Sequence, residues 1–181
     1  MFYRIALGLA AIALIGCSDT TRPPDGRIDP DTTQLPDTTQ RDTTGISQRR
    51  LIECPTSQTA STSVTLGILG GIVSAAGSSI LIPPAALLSA TLMTFTVPAS
   101  TFMEVDITAN SLVNFIFRAN VIITIDYSRC APSVTQGKTL TVWQIDPQTK
   151  ALIRNMNGVN DPANRRMSFT TNHLSGYAIA Q

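Results

Sequence analysis

The stretch Val121-Ile122-Ile123-Thr124-Ile125-Asp126-Tyr127 decides the fold class of this chain. Every second residue from Val121 to Tyr127 is apolar or aromatic, and Thr124 and Asp126 lie between them. Successive side chains of a β-strand point to opposite faces, so this alternation is typical of a strand with one buried face. β-branched residues dominate the stretch and favour the same structure. We therefore predict a strand over these residues.

Further stretches rich in β-branched and aromatic residues predict more strands. They are Ile80–Ile82, Thr91–Val97, Val105–Thr108, Val113–Phe117, Thr139–Ile145, Leu152–Met156, Met167–Thr171 and Tyr177–Ala180. Turn-forming pairs separate them, among which are Gly70-Gly71, Ala76-Gly77, Pro83-Pro84 and Asn157-Gly158. Many short strands at such spacing favour an all-β antiparallel sandwich, and the one helical candidate, Ala85–Leu88, is a single turn at most.

The amino terminus has the layout of a secretory signal. Arg4 precedes an apolar run, Ile5–Ile15, and the small residue Gly16 precedes Cys17. The run is too short to span about 30 Å of hydrocarbon, which needs about 20 residues. Leu14-Ile15-Gly16-Cys17 resembles the lipobox of bacterial lipoproteins. An ordinary secretory signal with a coincidental cysteine is the alternative.

The lipoprotein resemblance has three implications. A signal peptide, residues 1–16, is removed, and Cys17 carries the lipid that makes the membrane a partner of the protein. The protein is then held at the bacterial cell envelope. The residue after the cysteine is Ser18 rather than aspartate, which favours the outer membrane or cell surface.

We predict that residues 17–50 consist of a lipidated cysteine followed by a disordered tether. Asp31-Thr32-Thr33-Gln34 recurs at 37–40 and, shortened, at 42–44, and apolar periodicity is lacking. Such a composition buries too little apolar surface to offset the entropy of ordering. Calcium binding by the aspartates is an alternative, but the EF-hand loop pattern is missing. We predict no metal and no cofactor.

Residues 51–181 form one predicted domain. Its seven basic and six acidic residues make no basic patch, so we predict no nucleic-acid partner. Cys54 and Cys130 remain once Cys17 carries lipid, and outside the cytoplasm the simplest state for two cysteines is a disulfide. Two free buried thiols are the alternative. One histidine in the whole chain is too few to complete a zinc site with this pair.

Two motifs in this domain resemble the ZU-five domain, a β-sandwich of netrin receptors, ankyrins and bacterial surface proteins. One runs from Leu69-Gly70-Gly71 to Ile82-Pro83-Pro84-Ala85-Ala86-Leu87, and the other is His173-Leu174-Ser175-Gly176-Tyr177-Ala178-Ile179-Ala180. Ala85 stands where the family commonly has glycine, and Leu174 where it often has phenylalanine. In physical terms, Gly70-Gly71 permits a hairpin turn with positive φ, and Pro83-Pro84 ends strand pairing.

The tripeptide His173-Leu174-Ser175 also resembles the self-cleavage site of some ZU-five relatives and of adhesion-receptor proteolysis domains. That resemblance implies Ser175 as nucleophile, His173 as base and a cut between Leu174 and Ser175. A serine needs a neighbouring base to become nucleophilic, and residues two apart on a strand face the same way. A structural role for His173 in bracing the last turn is favoured, because cleavage would release only seven residues.

Three other side chains are candidates for chemistry. Glu104 and Asp106 alternate on one strand, where a solvated outer face is favoured over paired acid–base catalysis. We predict that Trp143 is an aromatic residue of the core or of a sheet edge rather than a surface on which a ligand stacks.

We therefore predict a non-catalytic binding or structural module, with a protein or peptide partner that could add to an exposed edge strand. A self-cleaving domain and a carbohydrate-binding sandwich that uses Trp143 are the alternatives.

Overall fold

Two antiparallel sheets pack face to face in the computed structural model, which describes residues 49–181. The predicted all-β antiparallel sandwich is confirmed. The signal peptide, Cys17 and the predicted tether up to residue 48 lie outside the described residues.

The described residues contain eleven strands and one short helix. In chain order these are β1 (Ala60–Leu66), β2 (Gly71–Ala75), β3 (Ser78–Ile82), β4 (Thr91–Val97), β5 (Glu104–Ala109), β6 (Ile116–Asp126), α1 (Pro132–Thr135), β7 (Thr141–Ile145), β8 (Leu152–Asn155), β9 (Val159–Asp161), β10 (Arg166–His173) and β11 (Gly176–Ala180). The six-stranded sheet has the order β1-β4-β5-β11-β7-β8, and the five-stranded sheet has the order β2-β3-β6-β10-β9.

The core lies between the sheets and follows the alternation of the central strands. Ile123 and Ile125 of β6 are fully buried, and their register partners on β10 are Phe169 and Met167. Phe95 of β4 fills the core from the other sheet. Burying each such side chain contributes about 1.5–3 kcal/mol.

The strand β6 is longer than the sequence predicts. The predicted strands Val113–Phe117 and Val121–Tyr127 form one continuous strand, Ile116–Asp126, and residues 113–115 precede it. The residues between the two predicted strands remain extended because β6 pairs with β10 on both sides of them. Val121 is paired with Thr171, and Ile116 is paired with His173 after a shift in register.

Three strands, β1, β2 and β9, are not among the strands predicted from composition. β1 has the sequence ASTSVTL, in which hydroxyl residues replace the apolar alternation. Ser61 and Ser63 form side-chain hydrogen bonds of 2.9 and 2.8 Å with Thr96 and Thr94 of β4. These hydroxyl pairs therefore help to stabilise the pairing of β1 with β4. A search for apolar periodicity does not detect a strand of this kind.

The one helical candidate, Ala85–Leu88, forms no helix, as the limit of a single turn allows. Ala85 has φ of 63°, which is left-handed, and its N–H donates to the carbonyl oxygen of Ile68 at 2.7 Å. The helix lies instead at α1, where Pro132 occupies the first turn. Within residues 49–181, no helix has the length and hydropathy needed to cross a bilayer.

The Gly70-Gly71 turn confirms the predicted positive φ but not the predicted hairpin. Gly70 has φ of 68°, and the turn carries the chain from β1 in one sheet to β2 in the other. A Cβ on Gly70 would lie 2.1 Å from the carbonyl oxygen of Ile82, so only glycine fits there. A two-residue hairpin does occur at Ala76-Gly77, both with positive φ, and β3 ends at Ile82 before the two prolines.

The predicted disulfide between Cys54 and Cys130 is confirmed. Their Cα atoms lie 4.7 Å apart, and both residues are buried. The bond joins the segment before β1 to the loop between β6 and α1. Beside it, the guanidinium of Arg129 donates to the carbonyl oxygens of Pro55 and Phe102.

Candidate functional site

His173 and Ser175 lie at the corner where the chain leaves the five-stranded sheet and enters the six-stranded one. His173 is the last residue of β10, and Ser175 immediately precedes β11. Between them the side chain of Leu174 is buried in the core, and its N–H donates to the carbonyl oxygen of Phe115 at 2.9 Å. The corner is thus anchored by its middle residue.

The imidazole of His173 is held by neighbours other than Ser175. Its Nδ1 lies 3.0 Å from Thr171 Oγ1, and its Nε2 lies 3.3 Å from Gln144 Oε1 and 3.2 Å from Arg154 Nη2. Gln144 Nε2 donates to Ser175 Oγ at 3.3 Å, so the amide of Gln144 bridges the two side chains. Burial, and then the charge of Arg154, lower the pKa of His173, which keeps the imidazole neutral at pH 7.

This geometry differs from that of an activated serine. A base that activates Ser175 would accept a hydrogen bond from Oγ, but the amide of Gln144 occupies that position. Positive φ, which would indicate a strained turn, is not found at residues 172–176. Gln144 is a contributor that the sequence does not indicate, because it comes from β7, 29 residues before His173.

The prediction that Glu104 and Asp106 form a solvated face is wrong for Glu104. Only 1% of Glu104 is exposed, and its Oε2 accepts a 2.6 Å hydrogen bond from Lys150 Nζ. Lys150 belongs to the turn between β7 and β8 and reaches across β11, where the small residues Gly176 and Ala178 lie opposite the two carboxylates. Burial, and then the charge of Glu104, raise the pKa of Asp106, while Lys150 lowers it.

Trp143 lies on the outer face of the six-stranded sheet, beside the same small residues of β11. It is 8% exposed and packs with Ile145, Ala178 and Ala180 in a second apolar cluster. Its indole Nε1 donates to Thr141 Oγ1 at 3.0 Å. The ring is therefore buried away from the core between the sheets, and it offers no open stacking platform.

The edge strand β2 carries an exposed apolar side chain at one end of the five-stranded sheet. It pairs with β3 on one side and ends the sheet on the other. Ile72 is 64% exposed, and its register neighbours Leu81 and then Ile122 are also exposed, in a row across three strands. Leu69, in the turn before β2, is 82% exposed. An aliphatic surface thus runs up to an unpaired strand.

The backbone of β2 presents free hydrogen-bonding groups at that edge. The two-residue turn makes Ala75 and Ser78 a hydrogen-bonded pair, and bonded pairs alternate with unbonded ones in an antiparallel ladder. Ile72 and Ser74 occupy the unbonded positions, so their N–H and C=O groups point outward.

A cavity of about 500 Å³ lies at one end of the sandwich, beside α1. Tyr127, Lys138 and Arg165 are among its lining residues, and Tyr127 Oη donates to Asn160 Oδ1 at 2.8 Å. Across the part of the chain that the structure describes, no group of three histidine, cysteine or acidic residues could hold a metal ion.

No protein-family model matches this chain, and no curated protein sequence is similar to it. The resemblances to lipoproteins and to the ZU-five domain therefore stay predictions.

Proposed function

We propose that this chain is a lipid-anchored lipoprotein of the bacterial cell envelope, and that its sandwich is a non-catalytic module which binds an extended segment of a protein partner. The segment adds to β2 as a further antiparallel strand of the five-stranded sheet. The single observation that carries the proposal is the open, uncharged edge of β2.

Edge strands are usually protected, because their free N–H and C=O groups template pairing with another chain. Lysine, proline, bulges and very short strands are the common protections. β2 is five residues long, with the sequence GIVSA, and carries neither a charge nor a proline. At the opposite edge, β9 is three residues long and ends in an aspartate. The unprotected edge therefore supports a binding role for β2.

The side chains around β2 define the chemistry of the partner. Ile72 and Leu69 are aliphatic and exposed, and Ser74 is the other outward side chain of the strand. A partner segment that alternates aliphatic and hydroxyl residues would place its aliphatic side chains beside Ile72 and its hydroxyls beside Ser74. Main-chain hydrogen bonds would give affinity, and the side chains would give register.

A matched pair of variants tests the binding. Ser74→Pro removes an outward N–H without removing a bond to β3, and Ser74→Ala keeps that N–H. We expect short synthetic peptides of alternating valine and threonine to bind the wild type and Ser74→Ala, and Ser74→Pro to lose at least about tenfold in affinity, which is about 1.4 kcal/mol. Fluorescence anisotropy measures this.

Equal binding by both variants would contradict the proposal. So would a wild-type dimer that Ser74→Pro dissociates, because the edge would then serve a second copy of this chain. Circular dichroism and urea unfolding check that both variants remain folded.

Lipid anchoring is tested separately at Cys17. The lipobox supports it, and a disulfide in the domain is compatible with an oxidising compartment outside the cytoplasm. Cells fed an alkyne analogue of palmitate should incorporate it into the wild-type protein and not into Cys17→Ser. Equal labelling of the two proteins, or none, would contradict the anchor.

The absence of self-cleavage is tested by mass. The amide of Gln144 between His173 and Ser175 supports a braced corner rather than a reactive one. We expect digests of the denatured protein to contain the intact C-terminal peptide that ends at Gln181. A population that ends at Leu174, lost in Ser175→Ala, would establish the self-cleaving alternative instead.

A further inference from the structure

We propose that Lys150 and Glu104 become joined by an isopeptide bond between their side chains, and that Asp106 assists its formation. The bond would link the turn between β7 and β8 to β5 across the outer face of the six-stranded sheet, as a second covalent tie besides the disulfide.

The reacting atoms are already in contact. Lys150 Nζ lies 2.6 Å from Glu104 Oε2, and the two residues are 46 positions apart in the chain. Glu104 is 1% exposed, and its register partner on β11 is Ala178, a member of the apolar cluster that contains Trp143. Holding two reactants in contact removes much of the entropic barrier to their reaction.

The second oxygen of Glu104 has no hydrogen-bond partner among the described residues. Oε1 is buried, and so is the unpartnered Oδ1 of Asp106. A buried carboxylate oxygen without a partner is costly, and so is a buried ion pair. An amide is neutral, so condensation would replace the buried carboxylate and the partly exposed ammonium that pairs with it by a group that tolerates burial better.

The turn that carries Lys150 fixes its position. Asp146 Oδ1 accepts hydrogen bonds from the N–H groups of Gln148 and Thr149, and the N–H of Lys150 donates to the carbonyl oxygen of Asp146. Lys150 itself has a backbone φ of 60°, a value that residues other than glycine rarely adopt. The turn thus holds the side chain of Lys150 toward the buried carboxyl group of Glu104.

Asp106 is placed to carry the proton. Its carboxyl group lies over β11, because a Cβ on Gly176 would be 3.0 Å from Asp106 Oδ1. Burial and the charge of Glu104 raise the pKa of Asp106, which favours its protonated form. A neutral carboxylic acid can donate to the leaving oxygen.

The reaction balances without any other reagent. The ammonium of Lys150 transfers a proton to the Glu104 carboxylate, and the free Nζ attacks Cδ of Glu104 to form the C–N bond. Asp106 protonates the departing oxygen and regains a proton from the nitrogen, while the C–O bond breaks and water leaves. In the net reaction, one ammonium and one carboxylate are converted into one amide and one water.

Peptide mapping of the full-length protein tests the bond. After reduction of the disulfide, trypsin should release residues 51–118 joined to residues 139–154, uncut after Lys150 and lighter than the sum of the two peptides by one water. The chain has two lysines, so Lys138→Arg is a matched control that should keep the linked peptide. Lys150→Arg, which keeps the charge, should lose it.

Separate peptides 51–118, 139–150 and 151–154, each of full mass, from folded wild-type protein would overturn the proposal. Asp106→Asn tests whether Asp106 assists the reaction. In newly translated protein followed by pulse–chase and mass analysis, we expect the linked fraction of this variant to form at least about tenfold more slowly than that of the wild type. An unchanged rate in this variant would remove Asp106 from the proposal.

Discussion

The phenolic hydroxyl of Tyr177 donates a 2.6 Å hydrogen bond to the carbonyl oxygen of His173, across the corner that joins the two sheets. Tyr177 is fully buried, and its ring lies 4.8 Å from that of Phe169. Burial raises the pKa of Tyr177 to about 12, so the hydroxyl stays a donor at any physiological pH. One side chain thus both fills the core and fixes the last turn.

Tyr177→Phe should destabilise the domain by about 1 kcal/mol, because the part-buried carbonyl oxygen of His173 loses the shorter of its two side-chain hydrogen bonds and keeps the 3.2 Å bond from Thr171 Oγ1. Tyr127→Phe is the matched control, since its hydroxyl bonds to Asn160 on an exposed strand and its loss should cost less. Urea unfolding of both variants measures the difference. Equal losses would contradict a special role for the corner bond.

Gly70→Ala should destabilise the domain by about 3 kcal/mol or more, because the new Cβ overlaps the carbonyl oxygen of Ile82 and φ is positive. Gly137→Ala separates the two causes: φ is 71° there, but nothing lies within 4 Å of the added Cβ, so about 1 kcal/mol is expected. Thermal unfolding ranks the variants. A milder effect at Gly70 than at Gly137 would refute the close approach.

Replacing Cys54 and Cys130 together by alanine should lower the unfolding free energy by about 2–4 kcal/mol, since the bond closes a long loop of the unfolded chain. Urea unfolding of the wild type with a reductant should approach the result for the double variant. An unfolding midpoint that responds to neither treatment would show that the bond does not form in the protein.

The stability of the domain should fall as pH is lowered through about 6.5, the ordinary pKa of histidine. The folded protein holds the pKa of His173 below that value, so the unfolded chain takes up the proton first and acidification favours unfolding. The difference in unfolding free energy between wild type and His173→Gln, measured against pH, isolates this contribution. A difference that grows on acidification would reverse the sign and contradict the burial of the imidazole.

Arg154→Gln provides the companion measurement. Removing its charge should raise the pKa of His173 toward the ordinary value without restoring it fully, because burial is the larger cause. The chain has one histidine, so its NMR titration is unambiguous.

The fold could be predicted from the sequence where the residues of a single strand show which face is buried. The alternation in Val121–Tyr127 reflects a buried face, and two cysteines in a domain that is predicted to be exported have a simple pairing. β1 gave no such signal, because Ser61 and Ser63 are stabilised by hydroxyl groups on β4, a partner that periodicity does not reveal.

The candidate site was less accessible, because its contacts join distant parts of the chain. Glu104 has the sequence pattern of a solvated residue, and Lys150, 46 residues later, covers it. Gln144 reaches His173 and Ser175 from another strand. Burial of this kind depends on which strands become neighbours, and alternation within one strand does not contain that information.

The most direct test of the central claim, that β2 binds an extended partner, is amide hydrogen exchange of the folded protein with and without a valine–threonine peptide. The N–H groups of Ile72 and Ser74 point outward, so we predict that their exchange slows on binding, while that of Val73, already bonded to β3, changes little. Unchanged exchange at Ile72 and Ser74, with protection elsewhere on the domain, would contradict the account.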